Sequence, residues 1–468
     1  MAIADAIGAP SSEERGLDLR TVSTVTAAAI AIADMIGIGV FTSLGFQVQG
    51  IPSVFSVLML WVVGGVAALC GALSYGELAA ALPRSGGEYN FLSHIYGRGI
   101  GFVAGWISAT VGFAAPVALA AMAFGSYFDG IAPGILGMAT VDVLSAKISL
   151  IPIAVVWLVG LIHLNGVALG STFHNFATGL KLALIVVLIF AGLALGTPQP
   201  ISFAPSASDF HYITGAPFAV GLVFVMYAYS GWNAATYIAG EIHNPQRSLP
   251  LAILAATLIV ITLYVCLNAV FLYTTPIDQM AGQVEVALIA GKHIFGDAGG
   301  RFVGALICLG LVSSISAMIW IGPRVTQVMG EDIPMMRVFA KTSKSGVPAV
   351  AIIFQLIVTT ILMATRSFES VLDYIQFSLT FCSFLAVLGV IVLRVREPNL
   401  KRPYRMWGYP FTPAVFLAVT TFMMYYLIIE RPWQSLASVA TMLAGFLVYA
   451  ISLTQAPRRA ATESSIDG

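Results

Sequence analysis

The feature that most constrains this chain is a series of long apolar segments with very few charged side chains inside them. A helix needs about 20 apolar residues to cross the hydrocarbon core of a bilayer, and twelve segments of this kind can be identified. Only 9% of the 468 residues are charged, whereas about 25% are charged in a soluble domain. The apolar runs are continuous rather than alternating, so they predict helices and not barrel strands. The chain is therefore neither a cytosolic enzyme nor a nucleic-acid-binding protein.

The predicted spans are separated by short polar segments. They cover 22–48, 53–82, 100–128, 148–170, 174–196, 214–240, 250–273, 302–329, 347–365, 371–393, 413–429 and 433–453. The transmembrane domain then occupies 22–455, between polar tails at 1–21 and 456–468. No small-residue cleavage site follows the first span, which predicts a retained helix and not a signal peptide. Two charged segments, 83–99 and 331–346, are predicted to be loops on the cytoplasmic surface.

Lysine and arginine predict the orientation, because they accumulate on the cytoplasmic side of a membrane protein. With the N-terminus inside the cell, most of the 22 basic residues fall on that side. The basic residues predicted on the outer side are Lys147, Lys292, Arg301, Arg366 and Arg431. We therefore expect a multi-pass protein of the inner (cytoplasmic) membrane with both termini in the cytoplasm and the lipid bilayer as its surroundings.

The first and sixth predicted spans contain glycines in mid-membrane, where a helix is expected to be continuous. Gly37 and Gly39 lie in the first span, and Gly231 lies in the sixth. A single glycine pair is more often a site of close helix packing. Matching interruptions in two halves of a chain, however, indicate a transporter built from inverted repeats.

A broken helix at bilayer depth frees backbone groups that lipid cannot satisfy. The half-helix after the break offers N–H groups and a positive dipole end to an anion such as a carboxylate. The half-helix before the break offers carbonyl oxygens to a cation such as an ammonium. A zwitterionic ligand suits both.

Several motifs resemble those of the amino acid–polyamine–organocation superfamily, and within it the branch of L-amino-acid transporters and cationic amino-acid permeases. The motifs are Gly37-Ile38-Gly39-Val40-Phe41, Glu77-Leu78, Pro83-Arg84-Ser85-Gly86-Gly87-Glu88-Tyr89, Ser230-Gly231-Trp232-Asn233, and Glu241-Ile242-His243-Asn244-Pro245-Gln246-Arg247-Ser248-Leu249-Pro250. Together they cover nearly the whole series of spans, which makes the resemblance specific.

The resemblance implies an all-α polytopic membrane protein with a LeuT-type fold, in which the first and sixth helices are broken. Five helices at about 22–197 would form one repeat and five at about 212–395 the other. Two additional helices would follow at about 412–455. The resemblance also implies a secondary active transporter of a zwitterionic amino acid that works by alternating access.

The resemblance further implies a substrate site at the two breaks. Backbone N–H groups of Ile38, Gly39 and Val40 would bind the substrate carboxylate. Carbonyl groups near three residues would meet its ammonium: Met35, Tyr227 and Ser230. Tyr227 would also be an aromatic gate, and Asn233 matches an asparagine of the L-amino-acid branch. The sequence departs from the family at Ile38, where Ser or Thr is usual, so one side-chain hydrogen bond to the carboxylate is lost.

Lys181 lies within the fifth predicted span, where a lysine costs at least about 2.5–3.5 kcal/mol on insertion scales. A lysine that extends to the interface is the alternative to a functional one. Sodium-independent members of the family have a lysine here, and the resemblance implies that its ammonium replaces a bound sodium ion between the first and eighth helices. Ser313, Ser314 and Ser316 in the eighth span either line this position or pack within their helix.

Asp34 is the second charge predicted at depth, one helical turn before Ile38. An isolated carboxylate there must be paired or neutral. It would form an ion pair with Lys181, face the substrate ammonium, or pack as a protonated, hydrogen-bonded group. Coupling would be to protons or to exchange of another amino acid, and Asp34 and Lys181 slightly favour protons because both can titrate.

Glu77 and Glu241 are predicted near the cytoplasmic ends of their spans. They would close an inner gate by pairing with Arg84, Arg247 or Arg324, or they are ordinary interfacial charges.

The histidines and cysteines have no metal-ligand spacing, and we expect no metal, no cofactor, no catalytic residue and no obligatory protein partner. One alternative is a polyamine or amine carrier. That function requires further buried acids around the site, and Asp34 is the only one that the sequence places there. A membrane sensor that binds an amino acid without moving it is the alternative from another class.

Overall fold

The computed structural model describes most of the chain. It covers residues 22–84, 86–138, 140–143, 146–165, 171–237, 239, 242–343, 346–365 and 367–463. Within these residues, nine helices are long and apolar enough to cross a membrane, and three shorter apolar helices occupy the other predicted spans. The prediction of a helical multi-span protein is therefore confirmed. Both predicted tails, apart from 456–463, lie outside the described residues.

The helices follow one another with short connections. In chain order they are Thr24–Met35, Gly39–Gly50, Val54–Ala81, Glu88–Tyr96, Arg98–Ile107, Ala114–Ile131, Ile135–Met138, Leu150–Leu164, Ser171–Leu195, Asp209–Thr214, Ala216–Tyr229, Ala234–Tyr237, Pro245–Thr274, Ile277–Met280, Val286–Asp332, Arg337–Ala340, Ala349–Ala364, Phe368–Arg396, Phe411–Glu430 and Pro432–Glu463. A π-helical segment, Ser108–Gly112, joins the two halves of the third span, and a 3-10 turn covers Pro334–Met336.

The first span is broken, as predicted. Its first half ends at Met35, and the second half begins at Gly39. The residue after the first half, Ile36, has a non-helical ψ of 69°. Gly37 N–H then donates to the Met35 carbonyl at 2.7 Å, which closes a tight turn in place of the helical hydrogen bond.

The sixth span is also broken, and glycine is needed at its break. The helix ends at Tyr229, and a short helix resumes at Ala234. Gly231 between them has a φ of +97°, a conformation that side chains of L-residues rarely adopt.

The two broken spans pack against each other close to their breaks. A Cβ atom on Gly39 would lie 2.6 Å from the Cα atom of Ala228, so the helices approach closely only because residue 39 is a glycine.

Aromatic side chains hold the break of the first span from the side. Trp61, Tyr229 and Tyr264 are fully buried. The ring of Tyr264 lies 5.7 Å from that of Trp61 and 5.2 Å from that of Tyr229. Its hydroxyl donates to the Met35 carbonyl at 2.7 Å. The second and seventh spans therefore fix the position of the last residue before the break.

Other parts of the fold differ from the prediction. The helix of the eighth span begins at Val286, well before the predicted start, and bends sharply at Gly296, where φ is +79°. Its first ten residues are too few to cross a bilayer by themselves, and they form a separate arm before the bend. Two short antiparallel strands, Thr140–Val143 and Ala146–Ser149, pair with Thr140 opposite Ser149. The predicted loops at 83–99 and 331–346 are partly helical.

Candidate functional site: two broken helices around a polar cavity

Lys181 is buried at the break of the first span, with 4% of its surface exposed. Its Nζ atom donates to the carbonyl of Ile36 at 2.7 Å and to the hydroxyl of Ser314 at 3.1 Å. Gly310 leaves room for the lysine stem, because a Cβ there would lie 2.9 Å from Cγ of Lys181. One ammonium thus joins the first, fifth and eighth spans.

The other serines of the eighth span have separate surroundings. Ser316 lies 2.9 Å from Nε2 of His163, a buried residue of the fourth span. Ser313 is buried as well. Ser314 accepts a hydrogen bond from Lys181, so this serine lines the position of the lysine as predicted.

The main cavity has a volume of about 110 Å³ and lies beside the break of the sixth span. It is lined by residues of the first, third, sixth, eighth, tenth and eleventh spans together with the helix Glu88–Tyr96. The polar and charged residues of its wall are Asp34, Glu88, Ser108, Ser230, Asn233, Gln376, Thr380, Ser383 and Thr420.

Asp34 faces this cavity from the last turn before the first break. Its Oδ2 atom lies against the sixth break, where a Cβ on Gly231 would be only 2.6 Å away. Among the described residues, Asp34 and Lys181 form no direct ion pair: the lysine ammonium donates to Ile36 and Ser314 and acts on the carboxylate only through its charge. Of the three arrangements that the sequence left open, the structure has the carboxylate on the cavity wall.

Ile38, Gly39 and Val40 do not line the main cavity. They form the start of the helix Gly39–Gly50, whose first N–H groups have no acceptor within the helix. Ile38 is 3% exposed and Val40 is fully buried. Gly37 lies instead on a smaller void of about 10 Å³ beside Lys181. In this conformation the predicted carboxylate position is closed by the packing of Gly39 on Ala228.

Two of the three predicted carbonyl groups, those of Met35 and Tyr227, already have donors. The Met35 carbonyl accepts from Gly37 N–H and from the Tyr264 hydroxyl, both at 2.7 Å. The Tyr227 carbonyl accepts from the N–H of Ser230 at 3.0 Å and from its hydroxyl at 2.6 Å. The side chain of Tyr227 is 7% exposed and is not part of the cavity wall, whereas Ser230 and Asn233 are.

The predicted partners of Glu77 are wrong. Its carboxylate is 2% exposed and accepts from Nε and Nη2 of Arg394 at 2.8 and 2.5 Å. Arg402 lies 3.6 Å away, and the N–H of Met406 donates at 2.9 Å. Such burial also rules out an ordinary interfacial charge.

Two of the arginines predicted for this gate have other neighbours. Arg84 lies 3.6 Å from Asp332, and the guanidinium of Arg324 stacks over Trp320 at 3.8 Å. The second predicted gate residue, Glu241, lies outside the described residues. The partners of Glu77 could not be predicted from spacing in the sequence, because they come from a segment more than 300 residues away.

Sequence reasoning missed Glu88, the buried residue that begins the helix Glu88–Tyr96. It lines the cavity and accepts hydrogen bonds from the hydroxyls of Tyr75 and Ser383, the latter at 2.9 Å. The motif at 83–89 contains this residue, but its position next to charged neighbours predicted a surface loop. The burial of a loop glutamate between two spans follows only from the tertiary structure.

The fold and the site together define a multi-span membrane transporter: two interrupted helices meet at a polar cavity, and a buried lysine of the fifth span joins the first of them to the eighth span. The family model of the amino acid permeases matches residues 22–455. The chain therefore belongs to the amino acid permease family of the APC superfamily, and it has the LeuT-type fold of that superfamily.

Curated relatives are similar over nearly their full lengths. The human b(0,+)-type amino acid transporter 1 is 26% identical over 92% of this chain and 87% of its own. The serine/threonine exchanger SteT of Bacillus subtilis (strain 168) is 27% identical, over 94% of this chain and 98% of its own. The human cystine/glutamate transporter is 29% identical, over 94% and 86%.

Proposed function

We propose that this permease is a sodium-independent amino acid exchanger in which Lys181 replaces a coupling cation. The contacts of the Lys181 ammonium carry the proposal. A cation bound between the first and eighth spans would need oxygen ligands from both, and Nζ already occupies the position between Ile36 and Ser314. The name of one relative, the serine/threonine exchanger SteT, supports exchange.

The region of the breaks contains the two binding positions of the proposed substrate site, one for the ammonium and one for the carboxylate. Asp34 on the cavity wall is suited to the substrate ammonium. The start of the helix Gly39–Gly50 is suited to the substrate carboxylate, because unpaired N–H groups and the helix dipole favour an anion there. Movement of this helix away from Ala228 would open the carboxylate position.

The proposed inner side of the membrane is the side of Glu88. Both termini are then cytoplasmic, and the protein moves its substrate without changing it chemically. The buried Glu77 cluster lies on the same side and would hold the second span to the segment after the tenth.

Exchange by reconstituted protein tests the proposal. Purified protein is placed in liposomes that are filled with amino acids, and uptake of labelled serine and labelled lysine is measured in sodium chloride and in choline chloride. We expect equal uptake in the two salts and little uptake into empty liposomes. A requirement for sodium, or equal uptake into empty liposomes, would contradict the proposal.

The variant Lys181→Ala tests whether the lysine is needed for uptake. Because hydrogen bonds to a charged group contribute about 1.5–3 kcal/mol each, we expect uptake to fall at least about tenfold. Lys292→Ala is the control, since Lys292 is an exposed lysine that pairs with Asp297 at 3.4 Å outside the site. Wild-type uptake by Lys181→Ala would show that the lysine has no part in transport.

A further inference from the structure

The main cavity contains two carboxylates, not the one that the sequence placed there. Asp34 enters from the first break, and Glu88 enters from the helix Glu88–Tyr96. Tyr75 connects Glu88 to the sixth break. Its hydroxyl donates to the glutamate, and its ring meets that of Trp232 edge to face at 4.5 Å. Glu88 therefore belongs to the surroundings of the substrate site.

One oxygen of Glu88 is anchored and the other is free for a ligand. The hydroxyls of Tyr75 and Ser383 both donate to Oε1. Among the described residues, no donor meets Oε2, although Glu88 is only 4% exposed and its side chain is part of the cavity wall. Two hydroxyls thus hold the carboxylate in one orientation, with its second oxygen available to the cavity.

Gln376 provides a second free acceptor in the same wall. Its Nε2 donates to Thr380 at 3.1 Å, and its buried Oε1 has no hydrogen-bond partner in the described structure. Gln376 is 4% exposed. A buried polar atom without a partner costs free energy, so a ligand with N–H donors would be stabilised beside it.

The charges of the cavity point to the same kind of ligand. Its wall, all of it described, includes two acidic residues and no lysine, arginine or histidine. Lys181 is directed elsewhere, to Ile36 and Ser314. A zwitterion brings one ammonium, which one carboxylate satisfies. A second carboxylate at low dielectric is stabilised by a second positive group or else by a proton.

We propose that Glu88, together with Gln376, binds the cationic side chain of the substrate, so that the permease prefers basic amino acids, which carry a second ammonium or a guanidinium. The inference rests on the proposed function and extends it by a substrate class. The α-amino group would lie near Asp34. The side-chain cation would donate to Oε2 of Glu88 and to Oε1 of Gln376, since ammonium and guanidinium groups are donors only.

The test compares side-chain selectivity in liposomes filled with amino acids. Exchange of labelled lysine and labelled serine gives a KM for each. For the wild type we expect the lower KM with lysine. In Glu88→Gln the ratio of the lysine KM to the serine KM should rise about tenfold, which is the effect of losing one charge-assisted hydrogen bond. Glu430→Gln, an exposed glutamate far along the chain, is the control.

A second variant and a binding measurement keep the test independent of folding. Ser383→Ala removes one donor to Oε1 and leaves the carboxylate, so the same ratio should rise less than in Glu88→Gln. Lysine should also raise the melting temperature of the purified wild-type protein more than serine does, and this difference should disappear in Glu88→Gln.

Two results would overturn the substrate class: a lower KM for serine than for lysine in the wild type, or an unchanged KM ratio in Glu88→Gln. If the ratio is unchanged and the pH dependence of exchange is lost in Glu88→Gln, Glu88 is instead a proton-binding residue. Absence of exchange with every amino acid would instead contradict the proposed function.

Discussion

Two buried charges in this permease are held in opposite ways. Glu77 is surrounded by full charges and a backbone donor, namely Arg394, Arg402 and the N–H of Met406. Among the described residues, Lys181 donates hydrogen bonds to a carbonyl and a hydroxyl and has no acidic group in direct contact. The paired carboxylate is a structural link between distant segments. The lysine, which is held by dipoles at a broken helix, lies where the helices must move during transport.

We expect the largest effect, a loss of stability, when Glu77 is replaced. Glu77→Ala leaves Arg394 and Arg402 without their acidic partner, and breaking a buried ion pair costs about 3–5 kcal/mol. We expect a large decrease in the melting temperature of the purified protein. Glu430→Ala, at an exposed helix end, should melt like the wild type. An unchanged melting temperature in Glu77→Ala would show that Glu77 is not a structural link between these segments.

Gly231→Ala should damage the break region in a different way. The residue has a φ of +97°, and its new Cβ would lie 2.6 Å from Oδ2 of Asp34. The left-handed conformation alone costs about 1–2 kcal/mol for a residue with a side chain. We expect exchange to decrease more than stability does. Gly346→Ala is the control, because this glycine also has a positive φ of +76° but no atom near its Cβ position.

Ser314→Ala should have a smaller effect on the same region. It removes one of the two acceptors of Lys181 and leaves the Ile36 carbonyl. A lost hydrogen bond to a charged group corresponds to about 1.5–3 kcal/mol, part of which water can restore. We expect several-fold slower exchange and little change in melting temperature. A loss as large as that of Lys181→Ala would mean that Ser314 has a separate role.

The smallest expected effect is a change in stability at a third charge, Asp209. This carboxylate accepts hydrogen bonds from hydroxyl groups but lies outside the membrane-spanning segments. Donation from Ser53 and Ser56, together with the N–H of Ser206, lowers the pKa of Asp209 below its usual range. Its stabilisation is therefore complete at neutral pH and is lost as the pH falls from about 3.9 through the lower folded-state pKa.

Melting curves of Ser56→Ala test this third case. The variant should melt slightly below the wild type at neutral pH, and the difference should diminish as the solution is acidified. Exchange should be unaffected, because Asp209 connects the second span to the helix Asp209–Thr214 away from the cavity. A decrease in exchange would show that Asp209, although it lies away from the cavity, takes part in transport.

Much of the fold could be predicted from the sequence because the bilayer imposes strict local rules. Length and hydropathy identify the spans, and glycine at Gly37, Gly39 and Gly231 indicates the breaks. A lysine at depth is improbable enough to stand out in the sequence. The short strands and the arm before Gly296 could not be predicted in the same way, since neither has the length of a span.

The sequence by itself determined the class of the protein and the broken helices and drew attention to Lys181, because each depends on the cost of placing a residue in lipid. Only the tertiary structure decided which groups meet. It brought Glu88 from an apparent surface loop into the cavity, paired Glu77 with Arg394, and placed Asp34 on the cavity wall without a direct contact to Lys181. These contacts join residues far apart in the chain, and their geometry depends on helix rotation and close packing, which no local pattern records.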